Sequence, residues 1–332
     1  MDKRPVDSDF FMRKLHSVMG LGLVLFLMEH LLTNSESALM FGKDGSGFIK
    51  MVNFIHSIPY LKVVEVLLIG IPLLIHMVYG VKYLLTGAPS IAKGKGDKPH
   101  LPYERNYRYT LQRITSWLLL VAILLHVIQM RFLEVPTEVF LGTQDSSKYL
   151  VALQMDDGLY SVSKRLKVQL YDQNRIVNEH KRMIADESKI RAEEEKFQGE
   201  IKDENKYQVK KDYIIREQER LRLIKRWVLA LESIDVEESE VVASADNIGT
   251  AFLLKVRETF MDPLARVLYS IFVLAAAFHA SNGLWTLMMS WGITLSPKSQ
   301  SWAARISVGL MLLLSFLGMV SIWGTYLVNL RV

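Results

Sequence analysis

Histidine is the side chain to start from: eight are present, and four of them, His30, His76, His126 and His279, sit inside long apolar runs. An imidazole in hydrocarbon is costly unless something uses its nitrogens, so an ionisable group in such a run is a functional candidate by default. Glu29, Glu65 and Arg113 share these runs, while Arg13 and His16 stand at the entrance to the first. The chemistry open to such groups is hydrogen bonding to a neighbouring helix, proton relay, or ligation of a metal. The chain has no cysteine, which excludes disulfides, thiolate-held iron–sulfur clusters and covalent haem attachment through Cys-x-x-Cys-His.

The runs that carry these residues are approximately Ser17–Thr33, Tyr60–Leu85, Tyr109–Leu133, Pro263–Ile293 and Arg305–Leu330. A helix needs roughly 20 residues to cross a bilayer. The first run is the shortest, but Glu29 and His30 interrupt its end and no small-residue cleavage site follows, so it reads as a retained span rather than a signal peptide. The expected fold class is an all-α integral membrane protein: a five-transmembrane-helix bundle with an extracytoplasmic insertion between helices three and four. Short-loop lysine and arginine mark the cytoplasmic side. Lys3, Arg4, Arg13 and Lys14, then Lys93, Lys95, Lys98, Arg105 and Arg108, then Lys298 and Arg305 all fall on one side if five helices alternate. The expectation is therefore a multi-pass protein of the cytoplasmic (inner) membrane, with its N-terminus inside and its C-terminus outside. Its divisions are helices one to three over 1–133, the insertion over 134–261, and helices four and five over 262–332.

Topology sorts the histidines by depth. Span one runs outward and reaches His30 near its outer end; span three also runs outward and reaches His126 about two-thirds of the way along. Spans two and four run inward and reach His76 and His279 at similar distances from their starts. The four thus form an outer pair and an inner pair on four different helices. Zinc is disfavoured, since each level offers two histidines and no cysteine. Low-spin haem with two axial histidines fits, because helix bundles build such sites from side chains on facing helices. A proton relay is the competing use. Gly80 and Gly283 stand at i+4 from His76 and His279, where a missing side chain would let a macrocycle approach the backbone.

The insertion is a different kind of sequence. From Ser163 to Trp227 it is dense in charge, with apolar residues seven apart at Leu170, Val177 and Ile184 and again at Tyr207, Ile214, Leu221 and Val228. That step predicts two helices with narrow seams, a helical hairpin or coiled coil, with KFQGEIKDENK around Gly199 as the reversal. KYLVALQMDDGLYSVS and EVVASADNIGTAFLLKV each read as a strand, a turn and a strand, together a small β platform. Placed outside the cell, this charged segment implies protein contact and no nucleic acid.

Several stretches resemble a known family. RKLHSVMG at 13–20, MEHLLTN at 28–34, HMVYGVKY at 76–83, LQRIT at 111–115, LHV around His126 and FHASNGLWTLMMSWGITLSPKSQ at 278–300 are similar to the membrane-anchor cytochrome b of succinate dehydrogenase, in its five-helix, two-haem bacterial form. The resemblance covers roughly Arg13–Arg131 and Phe252–Leu330. It implies two haem b groups, the inner one held by His76 and His279 and the outer one by His30 and His126. It also implies a flavoprotein subunit and an iron–sulfur subunit docked on the cytoplasmic side, passing electrons from succinate to a membrane quinone, with menaquinone the expected species. The insertion departs from the family, which has a short loop there, and so invites a further partner or self-association.

Secondary candidates follow from the chemistry of the implied groups. Haem propionates are anionic and meet cations or hydroxyls, and Arg113, Arg13, Lys298 and Ser17 lie at the inner level, with His16 as a further donor. Quinone protonation needs groups that exchange protons beside the last carrier; Glu65 comes first, Glu29 second and His56 third. Two other functions share parts of this pattern: a hydrogenase-type or ferric-reductase-type two-haem cytochrome b, and a haem-free membrane assembly protein acting through its outer helical domain.

Overall fold

The computed structural model describes residues 8–38, 43–86, 104–142, 147–200 and 204–332. Lys3, Arg4, Lys93, Lys95 and Lys98, used above to orient the chain, lie outside the described residues. The chain divides into two compact units, one of Met1–Glu134 with Thr259–Asn329 and one of Val135–Glu258 with Leu330–Val332.

Among the described residues, the first unit carries five helices long and apolar enough to cross a membrane: Phe10–Ala38, Leu61–Thr86, Tyr107–Leu133, Pro263–Ser290 and Pro297–Leu330. A short helix, Ser46–His56, lies between the first and second. The first and fifth spans begin earlier than their apolar runs do, because polar first turns are still helical. The fifth opens on a capping box, in which the Ser296 hydroxyl accepts from Ser299 N, with Pro297 in the first turn. The fourth opens on a side-chain N-cap without the reciprocal bond, the Asp262 carboxylate accepting from Leu264 N and Ala265 N ahead of Pro263.

Burial in this unit suits a lipid solvent. Large apolar side chains such as Leu68, Leu74, Leu125 and Leu312 face outward, while Ser37, Ser281, Asn282, Ser307, Thr325 and Asn329 are buried. Hydroxyls and amides link helices from within: Ser307 Oγ donates to Ser281 O at 2.6 Å, Asn329 Nδ2 donates to Ser37 O at 2.7 Å, and Ser37 and Thr325 share a hydroxyl–hydroxyl bond. Small residues set the approach distance. A Cβ on Gly318 would run into Val273, and one on Gly324 would lie 2.6 Å from Ala38 Cβ. Three spans relax into π-helix at the same end of the bundle, over Val66–Gly70, Gln129–Leu133 and Val320–Leu330. Such stretches recur at functional sites, because they re-aim side chains within an otherwise regular helix.

The second unit is built on a four-stranded antiparallel sheet in the order β1-β2-β4-β3, with β1 Thr137–Phe140, β2 Ser147–Gln154, β3 Gln169–Tyr171 and β4 Glu240–Ala245. The register pairs Leu150 with Ser244 and Tyr171 with Val242. On one face Val139, Leu150, Tyr171 and Val242 pack with Ile176, Leu231 and Trp227 at the roots of two long helices, Gln173–Glu200 and Glu204–Glu232. Alternation sends Val151, Leu153, Val241, Ala243 and Ala245 to the opposite face, where they are also buried. Arg257 is 1% exposed and donates to both oxygens of Asp156, at 2.7 and 2.6 Å, and to Leu330 O at 2.7 Å.

The two expected strand pairs are each half right. KYLVALQ and EVVASA are strands, but the segments after them fold as the helices Leu159–Leu166 and Ile248–Thr259. The second helix start is written in the sequence: Asn247 Oδ1 accepts from Thr250 N at 2.9 Å, as an N-cap does.

The long helices run antiparallel, as the pairs His180–Glu232, Glu187–Lys225 and Glu193–Lys210 require. The hydrogen bond from Lys225 holds the Glu187 carboxyl below its ordinary range. Gly199 falls inside the first helix rather than at the reversal, and 201–203 lie outside the described residues. The seam on the second helix is the expected one at Ile214, Leu221 and Val228, which are buried, while the fourth expected position, Tyr207, is 40% exposed and stacks on Phe197. On the first helix it lies one residue earlier than expected: Ile176 and Met183 are 4% and 8% exposed, Val177 and Ile184 42% and 49%. Leu170, which sets the other phase, belongs to β3. Surface ion pairs contribute little, so the seam carries the hairpin. Leu221→Ala is expected to destabilise it by about 2–5 kcal/mol, and Ile184→Ala by no more than about 0.5 kcal/mol. Amide hydrogen exchange across 173–232 in the full-length protein measures both.

Candidate functional site

The four intramembrane histidines meet as two pairs. The ring centroids of His30 and His126 are 6.0 Å apart and those of His76 and His279 are 6.2 Å apart, each pair close to perpendicular at 77° and 83°. The two pairs draw on four different spans, one ring from each. Among the described residues no set of three or more His, Cys, Asp or Glu converges to hold a metal ion.

Three of the rings are oriented through Nδ1. His76 Nδ1 lies 3.1 Å from the carbonyl oxygen of His16. His279 Nδ1 lies 3.4 Å from both Thr115 Oγ1 and Ser116 Oγ, whose own protons go to Leu111 O at 2.8 Å and Gln112 O at 2.6 Å. Those hydroxyls are left with lone pairs and accept from the imidazole. His126 Nδ1 lies 3.2 Å from Tyr269 Oη, and the Tyr269 proton goes to Gln129 Oε1 at 3.2 Å. Since a phenol has one proton and Gln129 takes it, His126 Nδ1 must be the donor in its bond. An oxygen acceptor at Nδ1 fixes the tautomer that leaves Nε2 with a free lone pair, which is how proteins prepare a histidine to bind metal. His30 packs on Phe26, ring centroids 5.4 Å apart.

Around the His76–His279 pair, buried polar atoms lack partners. His16 stacks on His76 at 4.0 Å and 12°, and its Nε2 is buried without a hydrogen bond, as are Ser281 Oγ, Asn282 Oδ1 and Trp285 Nε1. Buried polar atoms are nearly always satisfied, so this group suits a polar ligand edge. Asn282 is itself fixed, donating through Nδ2 to Gln112 Oε1 at 2.9 Å, while Gln112 Nε2 donates to His279 O at 3.2 Å. A Cβ on Gly80 would sit 3.8 Å from His16 Nε2 and one on Gly283 3.8 Å from Gln112 Nε2, both ordinary contacts. Gly20 is the tight position, where a Cβ would lie 2.9 Å from His76 Cε1. Two imidazoles at each level, three of the four with an oxygen at Nδ1, and orphaned donors and acceptors beside one level fit a flat macrocycle with polar carboxylates.

The other candidates divide between the two ends of the bundle. At the end nearer His76 and His279, Arg113 donates to Tyr83 O at 3.1 Å and Leu84 O at 2.6 Å in the last turn of the second span, and Ser17 Oγ accepts from Trp291 Nε1 at 3.2 Å. Arg13 is in the first turns of the first span, and Lys298 is exposed in the first turn of the fifth. Toward the other end, Glu65 is ion-paired with Arg131, each on or beside a π-helical stretch, and Glu29 accepts from Thr33 Oγ1 at 2.8 Å. His56 Nδ1 lies 2.9 Å from Val52 O in the short helix. Sequence reasoning missed Tyr269, Gln129, Gln112, Arg131 and Arg266. The first three are polar residues of common type, whose roles come only from their neighbours on other helices. The two arginines sit near span ends, where a cation reads as an interfacial anchor.

A curated relative, the succinate dehydrogenase cytochrome b558 subunit of Bacillus subtilis (strain 168), is 31% identical to this chain over 126 residues, or 38% of this chain and 57% of the relative. The chain thus spans little more than half the length of that relative. No family model and no solved structure matches.

The contact at Gly20 gives a test of the His76 environment. Gly20→Ala is expected to destabilise the bundle by about 1–3 kcal/mol through displacement of His76. Gly22→Ala, with nothing within 4 Å of the new Cβ, is expected to be neutral or stabilising by up to about 1 kcal/mol. Thermal unfolding of the detergent-solubilised protein compares the two.

Proposed function

We propose that this chain is the di-haem cytochrome b membrane anchor of a succinate dehydrogenase or fumarate reductase, passing electrons between an iron–sulfur subunit and membrane quinone. The observation that carries the reading is the pairing of four buried histidines at two levels, with oxygen acceptors at three of their Nδ1 atoms. The 31% identity to a succinate dehydrogenase cytochrome b subunit supports the same family. His76 and His279 would hold one haem b, and His30 and His126 the other. Haem supplies reversible one-electron storage when bound, at a potential set by its axial ligands and their hydrogen bonds. The chain's own part is to keep Nε2 deprotonated, to fix each ring, and to exclude water from between the helices. Arg13, Arg113, Ser17 and Lys298 lie toward one end, where propionates would meet cations and hydroxyls.

Glu65 and Glu29 lie toward the end nearer His30 and His126, and are the proposed quinone-protonating groups, Glu65 first. Glu65 is held by Arg131 of the third span. The proposed topology puts the N-terminus in the cytoplasm, the 134–261 insertion and the C-terminus outside, and the flavoprotein and iron–sulfur subunits on the cytoplasmic face. Menaquinone is the expected quinone.

An optical redox titration of the purified protein, with a haem count, tests the reading. Two b-type components are expected, and His279→Ala should remove one while leaving the other at its original potential. A protein without haem sinks the proposal, leaving the assembly-protein reading. Co-purification of a flavoprotein and an iron–sulfur protein is the result expected of a succinate dehydrogenase anchor, against a hydrogenase-type or reductase-type cytochrome.

A further inference from the structure

Arg266, the fourth residue of the fourth span, is only 9% exposed. Its Nη1 donates to the carbonyl oxygens of Phe260 and of Met261, the latter at 3.2 Å, and its guanidinium stands 5.7 Å from the ring centre of Trp323 and 5.8 Å from that of Tyr326. Trp323 is held in turn, donating through Nε1 to Ser270 Oγ at 3.0 Å, while Ser270 donates to Arg266 O at 2.7 Å. Arg266 Nε is buried and has no hydrogen-bond partner. Among the described residues no carboxylate pairs with this side chain.

Arginine stays charged in any protein environment, and carbonyl dipoles and ring faces do not neutralise it. Among the described residues the other deeply buried arginine, Arg257, is treated differently: it is clamped by both oxygens of Asp156. A buried guanidinium that lacks such a partner, and has a free N–H, is an anion receptor waiting for its anion. The level of that anion is fixed by Tyr269, which lies one turn deeper on the same helix and accepts from His126 Nδ1 at 3.2 Å. Arg266 is therefore about 4.5 Å nearer the span end than the residue that orients His126, at 1.5 Å per residue.

We infer that Arg266 is the counter-ion for a carboxylate of the group held between His30 and His126, that is, for a propionate of the haem at that level. The inference rests on the di-haem reading above and adds to it a residue, and an end of the bundle, for which that reading names no propionate partner. Trp323 and Tyr326 flank the guanidinium as positioning residues.

Two measurements on the haem-loaded protein test it. In redox titrations, Arg266→Gln should lower the midpoint potential of the His30–His126 component by about tenfold in equilibrium constant, about 59 mV for one electron, because the carboxylate left uncompensated favours ferric iron. Arg266→Lys should recover most of that shift, and the His76–His279 component should not move in either variant. Independently of any change at Arg266, the His279→Ala protein keeps only this haem. With 13C-labelled propionates and 15N-labelled arginine, it should show dipolar coupling between a propionate carbon and a guanidinium nitrogen in solid-state NMR. Unchanged potentials with both haems bound, or no coupling in the one-haem protein, overturn the inference and leave the di-haem reading intact. A coupling instead to lipid phosphorus, with a midpoint that changes between phosphatidylcholine and phosphatidylglycerol vesicles, would identify the anion as a lipid phosphate and also overturn it. A protein that binds no haem refutes the di-haem reading itself.

Discussion

The structure of the membrane unit depends on how a bilayer treats an imidazole. Each ring has two nitrogens, and in hydrocarbon both need an occupation. At His76, His126 and His279 one nitrogen is occupied by an oxygen from the chain: a backbone carbonyl, a phenol and a pair of hydroxyls. These acceptors come from three different spans, so orienting the rings and packing the helices are one problem. Gly20 has no Cβ because His76 stands against it, and Thr115 and Ser116 bond their own helix so that their oxygens stay free to accept. What remains on these three rings is Nε2, and ligation of haem iron is the use we propose for the pairing at two levels.

The same solvent explains why polar residues join the apolar ones in the interior of this unit while large apolar side chains cover its exterior. With lipid outside, burying leucine gives no advantage, and helices associate through close backbone approach and internal hydrogen bonds. Gly318 against Val273, Gly324 against Ala38 and Ser307 bonded to Ser281 are such contacts. The second unit follows water's rule instead: leucine, valine and isoleucine line its sheet and the seam of its long helices, and charge covers the rest. Its buried arginine has an acid partner, whereas the membrane unit's Arg266 has none among the described residues.

Much of this was legible in the sequence, and the exceptions have physical causes. Span number and histidine depth follow from hydrophobic length and alternation, so the pairing of His30 with His126 and of His76 with His279 could be read from 1.5 Å per residue and a direction for each helix. The hairpin's second seam was equally clear over Ile214, Leu221 and Val228. Its first seam was ambiguous, since Ile176–Val177 and Met183–Ile184 are apolar doublets seven apart and either member fits the spacing. Gln112, Gln129 and Tyr269 could not be picked out, because their significance lies in which residue of another helix they touch. Arg266 carried a signal, a cation inside an apolar span, but one turn from the span end that signal resembles ordinary interfacial anchoring.

The central claim is that the bundle binds two bis-histidine haems. Haem-to-protein stoichiometry by the pyridine haemochrome, read alongside the low-temperature electron paramagnetic resonance spectrum of the oxidised protein, tests it most directly. The account predicts two haem b per chain and two low-spin ferric signals, with one signal lost in His126→Ala and the other in His76→Ala. One haem per chain, none, or a single signal abolished by both substitutions would contradict it.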